Sequence, residues 1–280
     1  MTVMSKPRSG ALELVDFKKV SRWGAFYVAE YRIRHMQKWW TAILAYGIGS
    51  PILYLTSIGL GIGTLVDANL GSQGINGVSY LLFLAPALLA GAAIQSGMDE
   101  STFPVLQGFI WEKVFYAMNA TALTGRQIAV GVQIGALART LISVSLYWVV
   151  MVMFGVANLA TFFTLIPAAV FAGASFGALM LAVAAYVKDD DGYFALIGRF
   201  VIAPMFLFSG TFYPLNLLPQ ALQVVGWISP LWHATEIGRH LTYGTGMSMQ
   251  MMLIHFGYLS VLLVVGIHFG SKRITERLAS

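Results

Sequence analysis

The chain has 280 residues, 58% hydrophobic and only 10% charged, with a formal net charge of +5 at neutral pH. A soluble domain carries about a quarter charged residues, so this composition describes an integral membrane protein. Its basic residues flank apolar runs and form no exposed patch for nucleic acid. Cysteine is absent, which excludes disulfides and thiolate metal sites.

In chain order, Lys6, Arg8, Lys18, Lys19, Arg22, Arg32, Arg34 and Lys38 all precede the first long apolar run. No small-residue cleavage site follows a short apolar core, so the first span is expected to remain as an uncleaved anchor. Residues 17–38 mix five of these cations and Lys38 with Trp23, Phe26, Tyr27, Tyr31 and Ile33. They predict an amphipathic helix lying on the cytoplasmic membrane face, since a solvated basic tail would waste those apolar side chains in water. Trp39 and Trp40 mark the interface.

About 20 apolar residues cross a hydrocarbon core of roughly 30 Å. On that measure the uncharged stretches predict six spans, at about 40–63, 80–98, 134–154, 162–187, 193–212 and 249–270. The expected fold is thus an all-α integral membrane domain over 1–280. With both ends cytoplasmic, 16 of the 17 Lys and Arg fall inside and only Arg239 outside, the asymmetry that orients membrane proteins. Arg139 and Arg199 sit near cytoplasmic span ends, within snorkelling reach of the interface. A multi-pass protein of a plasma membrane, bacterial inner membrane included, is expected.

The long cytoplasmic segment 99–139 carries Phe109, Trp111, Phe115 and Tyr116 with little charge. Aromatic surface needs cover, so two uses fit: a short helix docking into another protein, or one packed on its own bundle. The fifth apolar run then meets Ser209-Gly210, Pro214, Pro219 and Pro230 in quick succession. Each proline removes a backbone donor and disfavours helix before it, so the run is expected to break and fold back as a re-entrant hairpin. Broken backbone at membrane depth survives only against protein or a watery cavity, which points to a transport path. Glu236 and Arg239, three residues apart, suit an ion pair holding that hairpin, or contact with a polar headgroup.

Several chemistries are missing from the sequence. It contains no GxxxxGK[ST] phosphate loop or HExxH, and no Gly-Lys pair. No cofactor or metal is expected in the chain. Among the five histidines, His233 and His240 are the nearest pair for one outer face, with packing or hydrogen bonding as their use. Asp189-Asp190-Asp191 beside Lys188 reads as a solvated loop. The span centres lack Asp, Glu, Lys and Arg, which opposes an ion-coupled carrier. A membrane-embedded lipid-modifying enzyme would have to use His233, Glu236, Arg239 and His240.

The run from Pro204 and Met205 through Phe206 or Phe208, Ser209, Gly210, Tyr213 and Pro214 to Leu218-Pro219, then Pro230-Leu231 and His233, resembles the ABC-2 (type-2 ABC exporter) permeases. The likeness is to the branch with nodulation lipo-oligosaccharide and daunorubicin-type drug exporters. It implies an outer gate at the Pro204–Arg239 segment, including Glu236. Ala117-Met118, Thr121, Leu123, Thr124 and Ile128 match the family's coupling-helix region, so Trp111, Glu112, Phe115, Tyr116, Met118, Thr121 and Leu123 are the implied ATPase contacts. One departure is Tyr116, where relatives commonly place an acidic residue; here Glu112 stands a turn earlier. The resemblance further implies two permease copies, two copies of a separate ATPase binding ATP and Mg, and a path between the first, second and fifth spans. Gly47, Gly49, Gly59, Gly61 and Gly63 would suit close helix approach on the first span. The implied cargo is amphipathic: a lipid-linked oligo- or polysaccharide, a glycolipid, or a hydrophobic drug.

Overall fold

A computed structural model describes residues 16–71, 74–189 and 192–280. Lys6, Arg8, Asp190 and Asp191 lie outside them. The described residues hold no strand beyond one bridge between Ile75 and Val78. Helix α1 (Phe17–Met36) opens at Asp16, whose carboxylate accepts from the Lys19 N–H at 3.1 Å. A 3-10 turn (Gln37–Trp39) leads to α2 (Trp40–Tyr54), and a π-helical stretch (Leu55–Ile62) joins that to α3 (Gly63–Leu70). Then come α4 (Tyr80–Ser101), α5 (Phe103–Phe109), α6 (Val114–Asn119), α7 (Gly125–Met153) and α8 (Phe162–Tyr186). A second π turn (Gly198–Ile202) separates α9 (Tyr193–Ile197) from α10 (Ala203–Phe208), and α11 (Gln220–Ile228), α12 (Pro230–Tyr243) and α13 (Met249–Ala279) complete the chain.

Among the described residues, five stretches are long and apolar enough to cross a membrane: Phe17–Leu70, Tyr80–Phe109, Gly125–Met153, Leu159–Tyr186 and Met249–Ala279. The helix expected over 193–212 is shorter, Tyr193–Phe208. It stops where Ser209 leaves helical geometry (ψ 21°) and Gly210 turns left-handed (φ +71°), a conformation that costs glycine little. At 1.5 Å per residue it reaches about 24 Å, short of a core of about 30 Å. Other helices overrun their expected ends. The helix expected over 134–154 starts at Gly125, because Thr124 and Gln127 form a capping box there, and α13 continues to Ala279.

Helix α1 is packed on the bundle. Its Gly24, Val28 and Arg32 pack against Gln127, Gly131 and Gly135 in turn, so α1 runs alongside the first turns of α7 in the same direction. Small residues face α7, while Trp23, Phe26, Tyr27 and Ile33 point outward and are exposed.

Between apolar helices in lipid, close packing replaces the water-driven hydrophobic effect, and small residues four apart let backbones touch. One pair that touches in this way is α4 with α8. A methyl group on Gly97 would stand 2.1 Å from the Gly173 carbonyl oxygen, and one on Gly173 would stand 2.5 Å from that of Ala93. The glycines of the first span are used differently: Gly47 and Gly59 receive Leu146 and Leu81 side chains, and Gly49 has nothing within 4 Å. Leu84, Leu88, Val144, Met151 and Leu165 fill the core between α4, α7 and α8.

Candidate functional site

Helix α4 organises the site, with one end meeting the broken segment and the other a cluster of charges. Between these ends lies a cavity of about 260 Å³, walled by α2, α4, α7 and the α9–α10 stretch. Tyr46, Ser50 and Tyr54 are four residues apart on α2 and so share one face, which supplies one wall. Gln95 and Tyr147 add polar atoms, and Leu88, Ile202, Ala203 and Phe206 make the apolar side. Gly91 gives Phe206 its place, since a methyl group there would meet the ring at 2.3 Å. The second π-helical stretch, Gly198–Ile202, lines this cavity, and such turns occur frequently at functional sites. A smaller space continues toward Ser96, Asp99, Arg139 and Ser143.

The broken segment is held by side chains donating to its carbonyls. Tyr213 Oη donates to Leu207 O at 2.6 Å, Tyr80 Oη to Phe212 O at 3.1 Å, and Gln223 Nε2 to Leu218 O at 2.8 Å. Tyr258 donates to Ile228 O. Backbone that leaves the helix must find such partners where water is scarce. Ser209 and Ser229 join by their hydroxyls at 2.6 Å, drawing the start of α12 onto the end of α10.

Arg239 is the centre of this clamp and is 3% exposed. Its Nη2 donates to Gly210 O at 2.7 Å, Nε to Phe83 O at 3.3 Å and Nη1 to Glu236 Oε1 at 3.0 Å. The guanidinium also lies 3.7 Å over the Phe83 ring. Burial works against its charge and Glu236 supports it. Thus the Glu236–Arg239 pair forms, and the arginine reaches two further backbone carbonyls, one on α4.

His233 pairs with His255 of α13, Nδ1 to Nδ1 at 2.8 Å, and not with His240. The spacing along one helix hid a partner on another. His233 Nε2 lies 3.0 Å from Trp227 O and so carries the hydrogen; Nδ1 is then the acceptor and His255 the donor. Burial pushes His233 down to about 4, leaving it neutral at physiological pH. With His233, Glu236 and Arg239 all engaged in holding the segment, the four residues considered for lipid chemistry do not assemble as a free catalytic group. Pro204, Tyr213 and Pro214 are half-buried along the same segment, Pro230 is buried and Pro219 is exposed. Among the described residues no three His, Asp or Glu side chains gather as a metal site.

At the far end of α4, Glu100 bridges two arginines. Arg32 Nη2 donates to its Oε2 at 2.6 Å and Arg139 Nη1 to its Oε1 at 2.7 Å, with Glu100 and Arg32 nearly buried. Asp99 is 3.9 Å from Arg139 and accepts from Gln95 at 2.8 Å. Arg139 therefore pairs inside the bundle, in place of the snorkelling expected for it. Sequence spacing gave no signal for this contact, because its partners lie 68 and 39 residues apart.

Just beyond, α5 and α6 present two faces. Phe115 is 1% exposed and packs edge-on against Phe109, so it anchors α6 to its own bundle and is withdrawn from the contact surface expected to include it. Arg277 of α13 lies 4.1 Å over Phe109. Trp111, Glu112, Tyr116 and Thr121 are exposed, and Met118 and Leu123 half-buried.

The family profile described as "ABC-2 type transporter" matches residues 28–243. The chain is similar to nodulation protein J of Rhizobium leguminosarum bv. viciae, 27% identical over 258 residues, covering 91% of this chain and 96% of that one. It is 26% identical to nodulation protein J of Rhizobium meliloti (strain 1021), over 90% of this chain and 94% of that one. With nodulation protein J of Bradyrhizobium diazoefficiens the identity is 24%, over 80% and 82%. No solved structure gives a significant match.

Proposed function

The chain belongs to the ABC-2 type transporter family, and from that premise we propose that it is the permease subunit of an ATP-driven exporter. The cargo is an amphipathic lipid-linked oligo- or polysaccharide or glycolipid, moved outward across the plasma membrane. The observation that carries this reading is the cavity between α2, α4 and α10, which combines polar side chains with an apolar wall beneath the clamped segment. The cavity is open at Tyr46 and Tyr54, which are exposed, as are Leu53 and Leu207 nearby; a second permease copy would cover this surface. Tyr193–Phe208 with the broken segment makes the fifth of six crossings and the re-entrant hairpin, both termini being cytoplasmic. The Pro204–Arg239 segment serves as the outer gate.

ATP and Mg belong to a separate ATPase, two copies of which dock on the α5–α6 surfaces. Trp111 and Tyr116 are the exposed aromatic anchors, the residue types that dominate interface energetics. Force applied there has a route inward: Pro104 and Gln107 of α5 line a cavity of about 240 Å³ with Arg32, Glu100 and Arg139. Replacing both Trp111 and Tyr116 by alanine should leave the fold intact, since neither fills the core. The association constant for the ATPase should fall by about 30-fold or more, as for loss of an interface hot spot.

The reading is tested by purifying the full chain from its native membrane together with any ABC ATPase that accompanies it. A stable complex whose ATP hydrolysis needs both proteins supports it; a purified chain that alone converts a lipid substrate overturns it. The apolar wall of Leu88, Ile202 and Phe206 favours a second reading within the family, efflux of a hydrophobic drug.

A further inference from the structure

Arg126 at the start of α7 and Lys272 on α13 are cations that the fold does not engage. Arg32, Arg34, Arg139, Arg239 and Arg273 each meet a carboxylate, whereas neither Arg126 nor Lys272 enters an ion pair among the described residues. Both are exposed, and both line one open groove of about 640 Å³ whose other lining residues all belong to α13. Close packing fixes this arrangement. A methyl group on Gly125 would stand 2.7 Å from the Thr275 Cα, and one on Gly266 would stand 2.4 Å from the Ala178 carbonyl carbon. These contacts seat α13 against α7 and α8 and leave the face bearing Lys272 open beside Arg126.

Along that face Val264, His268, Lys272 and Glu276 follow one another four residues apart and form a single row. Helix α13 is long and apolar enough to cross a membrane, so the row runs outward from the membrane core. It passes from an aliphatic side chain through an imidazole to an ammonium and a carboxylate. Val261, a turn deeper than Val264, is exposed as Val264 is. Apolar surface that leads into cations at the end of a crossing helix suits a molecule with an acyl chain and an anionic head. A soluble anion would leave the apolar part bare.

We infer that this groove holds an anionic phospholipid of the bilayer, its phosphate between Arg126 and Lys272 and one acyl chain along Val264 and Val261. Arg126 and Lys272 against Glu276 give the lining one net positive charge, and Glu276 is itself held by Arg273 at 3.2 Å. A single phosphodiester with a neutral headgroup matches that balance. An amine-bearing headgroup gains less, because its ammonium comes to lie beside the same two cations. The lipid is a resident of the protein surface and not cargo, since the groove shares no lining residue with the central cavity proposed for cargo. Arg126 also borders a groove between α1 and α7, but among the described residues no second cation lines that one.

The test counts lipids bound to the purified full chain by native mass spectrometry. The probes are phosphatidylglycerol, phosphatidylethanolamine and diacylglycerol with matched acyl chains, and glycerol phosphate supplies the anion without tails. Phosphatidylglycerol should bind about tenfold more tightly than either other lipid, and glycerol phosphate should not displace it. Arg126→Gln and Lys272→Gln should each weaken its binding about fivefold, and together about 30-fold. The unfolding temperature of the lipid-free protein should stay unchanged, because neither side chain has a partner to lose. Replacing Lys18 and Lys19, two exposed cations of α1 outside the groove, by glutamine should leave the preference intact.

Equal binding of the three lipids, a preference for phosphatidylethanolamine, displacement by glycerol phosphate, or an undiminished preference in the Arg126→Gln, Lys272→Gln double variant would overturn the proposal. An equal loss in the Lys18, Lys19 variant would overturn it too, by assigning the attraction to basic surface at large. Neither cargo nor ATPase enters this assay. The exporter reading can therefore fail while the lipid site stands, and the lipid site can fail beside a working ATPase complex.

Discussion

Replacing Glu100 by alanine is expected to destabilise the protein by about 3–5 kcal/mol, the usual cost of removing one member of a buried ion pair. The substitution deletes the acceptor for both Arg32 at 2.6 Å and Arg139 at 2.7 Å and leaves two guanidiniums without it. Asp99, 3.9 Å from Arg139, is too far away to replace it fully. The three helices joined at Glu100 are α1, α4 and α7, so the loss should separate α1 from its groove along α7. Unfolding of the purified chain in detergent, compared across variants, measures this. Replacing Arg32, Glu100 and Arg139 together by apolar residues of similar volume should recover most of the loss, since an apolar core avoids the desolvation that the charges incur. A triple substitution that costs the sum of the three single ones would show that the charges are not coupled.

Replacing Arg239 by alanine is expected to have a comparable effect at the other end of α4. It removes donors to Gly210 O and Phe83 O, leaves Glu236 unpaired and withdraws the cation from the Phe83 ring. A loss of about 3–5 kcal/mol is expected, and lysine should not restore it, because an ammonium cannot serve three partners in the planar spread of a guanidinium. The segment between Ser209 and Ser229 should open. The native chain has no cysteine, so a single cysteine placed at Thr211, which is 0% exposed, reports the opening through its rate of alkylation. Slow alkylation in both backgrounds would mean that Arg239 does not hold the segment closed. Replacing Glu236 alone should do less, because its side chain is 26% exposed and water can take its place.

What the sequence disclosed follows from the range of each interaction. The break after Phe208 was legible because Ser209, Gly210 and the prolines act on their own backbone. Glu236 and Arg239 were legible as a pair because one helical turn separates them. The arginine's reach to Gly210 and Phe83, 29 and 156 residues away, was not. The same holds for His233, whose partner His255 lies on α13, and for Glu100, whose partners lie on α1 and α7. Aromatic residues between Phe109 and Tyr116 marked a segment in need of cover. Only the fold divides it into an inward Phe115 and an outward Trp111 and Tyr116. The close approach of α4 and α8 at Gly97 and Gly173 was likewise hidden, since glycine is common in membrane helices and its neighbour is set by tertiary packing.

In the proposed exporter, outward transport is driven by ATP hydrolysed in another subunit. The full chain is reconstituted into liposomes with and without the ABC ATPase that co-purifies with it, and transbilayer movement of a fluorescent glycolipid is followed. The expected result is ATP-dependent movement that requires both proteins and stops when Trp111 and Tyr116 are replaced. Movement at the same rate without ATPase or ATP, or a chemically altered lipid recovered from liposomes holding the chain alone, would contradict it.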